Sequence, residues 1–366
     1  MDSPTILTLD AGGTNFEFHA IRDQKDVAEP VVLPSRGDDL SACLKNIVDG
    51  FQRQKEAAGG SIQAISFAFP GPTDYATGVI GDLYNLPGFR GGVALGPMLE
   101  DVFGVPVFLN NDGDLFAYGE ALCGTLPEIN AELAAAGSPK RYNNLLGLTF
   151  GTGFGAGVVT NGRLFIGDNS SGASIWCTRN KLDRDSYAEE GVSIRAVRKA
   201  YAEKAGLALD SVPEPVDIAA IAEGKLPGDV EAAKFAFERM GEVAGDAAAN
   251  AVSLIDGIVV IGGGLVGAWK HFLPGMVREM NSELASVTRE GSIPRTELTV
   301  FNLEDPRQRA EFVKGRATQV QVPNSSRTIP YDPQKRVGVA VSKLGAAKAT
   351  SLGAYAYAVH RISARD

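Results

Sequence analysis

Short apolar runs that stop at glycine recur along this chain. Ile6–Leu9 is an apolar strand that runs into Asp-Ala-Gly-Gly-Thr-Asn at 10–15, and Phe16–Ile21 alternates again. Leu145–Phe150 opens a second strand–glycine–strand unit, LLGLTFGTGFGAGVVTNGRLF, whose Asn161-Gly162 is a strong hairpin signal. A third apolar strand, Gly257–Ile261, stops at Gly262-Gly263-Gly264. Further strands are predicted over Ile62–Phe69, stopped by Pro70-Gly71-Pro72, and over Val105–Leu109, stopped by Asn110-Asn111-Asp112.

Helical periodicity fills the intervals. Leu40, Leu44, Ile47, Val48 and Phe51 recur at spacings of three and four, which predicts a helix over Asp38–Ala58 ended by Gly59-Gly60. Helices are also predicted over Met98–Phe103, Asp114–Cys123, Tyr187–Ala205, Val216–Glu223, Val230–Leu254, Ala268–Leu284 and Ala346–Ile362. Leu126–Tyr142 reads as an excursion, polar at its far end.

Strands alternating with helices make an α/β chain. At 366 residues it exceeds the ~250–300 at which one core usually stops growing, so two domains are expected. The two strand–glycine–strand units are too far apart for a solenoid and suggest two related domains facing each other. The expected division is 1–112, joined by part of the C-terminal helix 346–366, and 113–345. Residues 302–336 carry Pro306, Pro323, Pro330 and Pro333, with seven Lys/Arg against four Asp/Glu, and are expected to form a surface insertion.

Composition narrows the function. Hydrophobic residues at 44% and charged residues at 22% exclude a largely disordered chain. A formal charge of −9 gives no overall pull on nucleic acid or an anionic membrane. The most apolar stretch, Ala247–Trp269, is broken by Asn250, Ser253, Asp256 and three glycines, so it reads as a buried helix and strand. No secretory leader is visible, and a cytoplasmic protein is expected. Cys43, Cys123 and Cys177, like His19, His271 and His360, are scattered, and no zinc site is expected.

The three glycine clusters, at 12–13, 151–157 and 262–264, expose backbone N–H groups that suit phosphate oxygens. No GxxxxGK[ST] occurs. Gly262-x-Gly264-x-x-Gly267 matches a dinucleotide fingerprint, but no acidic strand end follows about 20 residues later. Asp10 beside a phosphate cradle would repel the phosphate unless a cation such as Mg²⁺ intervened, directly or through water; otherwise it caps a turn. Asp112 suits a base that accepts the proton of an attacking alcohol. Its other reading is an Asx turn or the N-cap of the helix that follows, a place Asp114 would fill equally well.

In this order the motifs resemble the ROK family of sugar kinases and related repressors, within the actin/hexokinase-like ATPases. LTLDAGGTN resembles the first phosphate motif, FPGPTDYATGVI and YNLPGF the substrate-loop region, and VPVFLNNDGDLFAYGEAL the segment with the catalytic aspartate. GLTFGTGFGAGVVTNGRLFIG resembles the second phosphate motif, VVIGGGL the adenosine motif, and LGAAKATSLGAYAYA the C-terminal helix region. The resemblance implies two actin-like, ribonuclease H-like domains with a cleft between them. It implies ATP-dependent phosphorylation of a hydroxyl on a hexose or sugar derivative. Asp112 would be the base. Gly12, Gly13, Thr14, Asn15, Gly151, Thr152 and Gly153 would surround the ATP phosphates, Gly262, Gly263 and Gly264 would lie against the adenosine, and Asp10 would help hold Mg²⁺. Gly71, Asn85, Asn111 and Asp112 would contact the sugar, with Glu189 as a further sugar contact. Relatives are often dimers or tetramers.

Two departures stand out. Where the family commonly shows Glu-Ile-Gly-His, this chain has Ser174-Ile175-Trp176-Cys177, and the zinc cysteines of the family are missing from Arg179–Ser186. Loss of those sugar-side hydrogen bonds implies weak binding of plain glucose. Trp176 reads more readily as core than as a sugar platform. The altered stretch also keeps open a non-catalytic sugar or nucleotide sensor of the same fold. No DNA-binding segment precedes the first phosphate motif, which favours the kinase branch over the repressors.

Overall fold

The computed structural model describes residues 3–12, 14–71, 73–83, 86–287 and 291–364. They divide into two compact units: Met1–Cys123, Arg163–Gly172 and Ala346–Asp366 form unit 1, and Gly124–Gly162 and Ala173–Gly345 form unit 2.

Unit 1 is built on β1 (Ile6–Ala11), β2 (Asn15–Arg22), β3 (Lys25–Asp26), β4 (Val31–Pro34), β5 (Ala64–Ala68) and β6 (Val107–Asn110), in the order β3-β2-β1-β5-β6 with β4 also on β2. β1 and β2 are antiparallel, with Asp10 opposite Glu17, whereas β1, β5 and β6 run parallel. Ile6 to Leu9 and all of β5 are buried, as strands covered on both faces must be. One face receives α1 (Leu40–Ala57), whose N-cap Asp39 accepts from the Ala42 N–H, and α2 (Leu95–Phe103). Their apolar sides close over Phe18, Phe51, Phe67 and Phe103, with ring centroids 5.1–6.1 Å apart.

The other face receives α3 (Asp112–Leu122) and the last helix, Ala346–Ser363. A methyl built on Gly119 would stand 1.9 Å from the Ala349 carbonyl oxygen, and one on Gly353 equally close to that of Leu115. The two backbones therefore touch where only glycine fits. This contact keeps the chain in unit 1 as far as Cys123, past the division expected after Asp112.

Unit 2 repeats the plan. After α4 (Thr125–Ala135), β7 (Leu145–Phe150) pairs antiparallel with β8 (Phe154–Thr160), and β9 (Ile258–Gly262) lies parallel to β7. β10 (Thr299–Asn302) reaches the sheet through a parallel strand, Arg336–Val341, that also pairs with β9. Asn161 and Gly162 both take positive φ, 51° and 72°, as their tight turn demands.

Three expected elements differ. Leu126–Tyr142 begins as helix α4, with Leu126, Ile129 and Leu133 buried on one side. The helix expected over Tyr187–Ala205 breaks at buried Ser193, whose φ of −97° and ψ of 170° are extended, giving α5 (Glu189–Val192) and α6 (Ile194–Ala205). Residues 302–336 are only partly a surface insertion. A further helix, Pro306–Lys314, buries Phe312, and Arg336 is buried too, while the hairpin of Thr318–Gln321 with Thr328–Tyr331 is exposed along its length.

Candidate active site

Parallel strands deliver the chain to one rim. In unit 1 the C-terminal ends of β1, β5 and β6 lead to Asp10, to Gly71 and to Asn111-Asp112. Asp112 is exposed at the first position of α3. Asn111 is the N-cap, and the Gly113 N–H donates to Asn111 Oδ1 at 2.9 Å and to Asp112 Oδ1 at 2.8 Å. Asp114 is not the cap; it is 5% exposed inside the helix face. Burial, then the charge of Asp112, pushes its carboxyl up to about 8.

Asp10 is close enough to Asp112 for their charges to interact. Its carboxyl is raised from the ordinary value, first by lost hydration, then by Glu17 and Asp112, with His19 acting the other way. His19 lies 3.0 Å from Asp26 and 3.5 Å from Glu17. Negative charge concentrated beside Asp10 fits a hard cation with oxygen ligands. Among the described residues no three His, Cys, Asp or Glu side chains group as a metal cage. Mg²⁺ does not need one, since it commonly keeps waters and takes one or two carboxylates plus phosphates.

Tyr75 lies against Asn111 and Gly71. Its hydroxyl donates to the Phe69 carbonyl at 3.2 Å and accepts from Asn111 Nδ2 at 3.4 Å. A methyl on Gly71 would lie 3.4 Å from the same oxygen. Gly12, Thr14 and Asn15 line the turn after β1; Thr14 and Asn15 are exposed, and the Thr14 carbonyl accepts from the Ser35 N–H at 2.9 Å. Gly13 and Asn85 lie outside the described residues.

Unit 2 brings the other two glycine turns together. β7 and β9 are parallel neighbours, with Thr149 opposite Gly262, so the turns at 151–153 and 262–264 leave from adjacent strand ends. A side chain begun on Gly151 would come within 4.0 Å of the Gly264 amide nitrogen, while one on Gly264 would meet nothing within 4 Å. Gly263 takes φ of 95°, and a methyl there would lie 2.4 Å from the Phe150 carbonyl oxygen. The result is bare backbone of the kind a nucleotide can approach.

Glu189 sits against the second turn. Its Oε2 accepts from the Phe154 N–H at 2.9 Å, and its Oε1 accepts from Arg195 Nη2 at 2.7 Å. Ser174 precedes a short 3₁₀ turn, Ile175–Cys177, and its carbonyl accepts from the Cys177 thiol at 3.1 Å. Trp176 is 47% exposed rather than core, with its ring edge-on to Tyr187 at 5.9 Å. Around Arg179–Ser186 the chain is stitched by backbone bonds: Asn180 N–H to Ser186 at 3.1 Å and Ala188 N–H to Thr178 at 2.8 Å.

The sequence profile of the family described as ROK family matches residues 6–303. This chain belongs to the ROK family. A glucokinase from Parabacteroides distasonis has a crystal structure that superposes with a TM-score of 0.90, at 53% identity over 98% of each chain. The N-acetyl-D-glucosamine kinase of Vibrio cholerae is 31% identical over 177 residues, 48% of this chain and 53% of that protein. That of Pasteurella multocida is 26% identical over 275 residues, 70% of this chain and 83% of that protein. The chain thus spans about half the length of the first of these curated relatives. The ROK hexokinase from Thermus thermophilus, at 20% identity and a TM-score of 0.67, shares the fold. The family fold is the α/β, actin-like one, and both units carry its antiparallel pair followed by parallel strands. No helix among the described residues is long and apolar enough to cross a membrane.

Tyr75 and Arg195 were not singled out in the sequence. Tyr75 falls inside FPGPTDYATGVI, a stretch readable only as a whole. Arg195 gave no signal, because its place depends on the break at Ser193 within an apparently continuous helix.

Proposed function

We propose that this chain is an ATP-dependent sugar kinase, transferring the γ-phosphoryl group to a hydroxyl of a hexose or sugar derivative. The observation that carries this is Asp112, exposed at the start of α3, fixed through the Gly113 N–H and electrostatically coupled to Asp10. The Parabacteroides relative named as a glucokinase adds support over the full length of the chain. Glucose and N-acetyl-D-glucosamine are the first substrates to test, since relatives are named for both.

In this reading Asp112 accepts the hydroxyl proton as the sugar oxygen attacks the γ-phosphorus, and the bond to the ADP oxygen breaks. Asn111 and the Gly71 backbone orient the sugar, with Tyr75 fixing the Asn111 amide. Unit 1 offers Gly12, Gly13, Thr14 and Asn15 to the phosphates. Unit 2 offers Gly151, Thr152 and Gly153 to the phosphates and Gly262, Gly263 and Gly264 to the adenosine. Asp10 would help hold Mg²⁺, directly or through water, and a cation there would supply charge neutralisation for the phosphates. Asn85, Ser174 and Glu189 complete the proposed sugar contacts.

The test is an ADP-release assay coupled to a panel of sugars. Sugar-dependent ADP release with phosphorylated product is expected. No turnover with any sugar, combined with a ligand-dependent rise in melting temperature, would instead establish a sensor.

A further inference from the structure

The second glycine turn is held, residue by residue, from one short segment. The Ile194 N–H donates to the Gly151 carbonyl at 2.9 Å, and Arg195 Nη1 donates to the Thr152 carbonyl at 3.0 Å. The Glu189 carboxylate stands 2.6 Å from where a side chain on Gly153 would begin, and it accepts from the Phe154 N–H. Arg195 then closes the loop by donating to Glu189 Oε1. Its Nε also donates to Glu190 Oε1 at 2.8 Å, and Nη2 lies 2.6 Å from that same oxygen.

We propose that Arg195 is a positioning residue that ties the grip of the 151–153 turn on the triphosphate to the engagement of sugar at Glu189. The inference rests on the function proposed above, in which that turn binds phosphates and Glu189 meets the sugar. Arg195 is a strut rather than a phosphate ligand, for two reasons. Its single positive charge lies between two carboxylates, so the group as a whole is negative and does not draw an anion. Each of its three nitrogens also donates to an acceptor within this cluster, which orients the guanidinium toward Thr152, Glu189 and Glu190.

In this proposal Glu189 is the part that the sugar engages. Each carboxylate oxygen offers two lone pairs, so a sugar hydroxyl can bind without first displacing the Phe154 N–H or the guanidinium. Any reorientation the sugar imposes on Glu189 is then passed to Thr152 through Arg195 and to Phe154 directly. The planar guanidinium fork is what allows one side chain to hold a carboxylate and a carbonyl at fixed separation, and lysine does not reproduce it.

The experiment measures ADP affinity of the full chain by calorimetry, alone and with saturating glucose or N-acetyl-D-glucosamine, alongside the Michaelis constants. In the unaltered protein the sugar should tighten ADP binding. Arg195→Gln should weaken ADP by about tenfold, because it removes the charge-assisted bond to the Thr152 carbonyl and the anchor on Glu189, and should abolish the gain from sugar. KM for ATP should rise more than kcat falls. Glu190→Gln, which leaves every bond to the turn in place, should change ADP affinity by less than about twofold.

If Arg195→Gln does not fold, Arg195→Lys serves instead, and the same loss of sugar-dependent gain is expected. Equal ADP affinity and an undiminished sugar gain in the Arg195 variant overturn the brace. So does an equal loss in Glu190→Gln, which would make the effect one of general disruption. Failure of the unaltered protein to bind ADP or phosphorylate any sugar is a different result, and it removes the kinase reading together with this inference.

Discussion

Asp114 is buried on the same turn of α3 that exposes Asp112, and the charge of Asp112 is the second cause, after burial, that raises its carboxyl to about 8. The exposed acid therefore helps keep the buried one protonated. The folded chain holds this proton up to about 8, while an unfolded Asp releases it near 3.8. Between those values the folded state binds one more proton than the unfolded, so this group's contribution to stability falls as pH rises through the window. Asp114→Asn should flatten that fall. Melting temperatures at about pH 5 and about pH 9 check it: the wild type should lose several degrees more than the variant. An equal loss in both would show that Asp114 does not carry a raised value.

Asp112→Asn tests the base itself. Removing a positioned base commonly lowers turnover about 10²–10⁴-fold. ADP affinity should stay near that of the wild type, because the glycine turns are untouched. Sugar-dependent turnover of undiminished rate would take the role away from Asp112.

Gly263 and Gly264 separate folding from binding at adjacent positions. Gly263→Ala forces a methyl to 2.4 Å from the Phe150 carbonyl at φ of 95°, and should cost about 1–3 kcal/mol in urea unfolding. Gly264→Ala meets nothing within 4 Å, and its stability should shift by no more than about 0.5 kcal/mol. Its KM for ATP should nevertheless rise, because the methyl occupies the face proposed for the adenosine. An unchanged KM would remove the third turn from the nucleotide site.

Arg336 and Asp332 form an ion pair of 2.5 Å whose side chains are 0% and 1% exposed. Arg336 Nε donates to the Phe312 carbonyl at 2.7 Å, and the guanidinium lies over the Phe312 ring. Asp332→Ala leaves a buried cation without its partner and should cost about 3–5 kcal/mol by denaturant unfolding. A loss below about 1 kcal/mol would show that water reaches the arginine.

Much of the fold was legible because β1, β5, β7 and β9 are short apolar runs stopped by Gly or Pro, and that signal is local. The positions of Asp10, Gly71, Asn111 and Asp112 were legible for the same reason, since Asp10 lies beside the end of β1 and the others follow the ends of β5 and β6; their roles stand as proposed. What stayed hidden depends on tertiary contact. The break at Ser193 lies in a stretch whose periodicity is helical throughout, and it decides where Arg195 points. The cap of α3 went to Asn111 because β6 ends one residue earlier, which turns Asp114 inward. The 302–336 segment has a polar, proline-rich composition, yet its ends are pinned by Phe312 and Arg336, and composition is blind to such pinning.

The closing helix has a bearing on inheritance as well as packing. A stop codon falling just before Ala346 would spare every glycine bend and the proposed proton acceptor. It would still strip away the backbone against which Gly119 is pressed, leaving the segment that mounts position 112 with an unfilled trough along one side. Truncation before Ala346 is thus expected to impair the chain although it removes none of the residues proposed to touch a reactant.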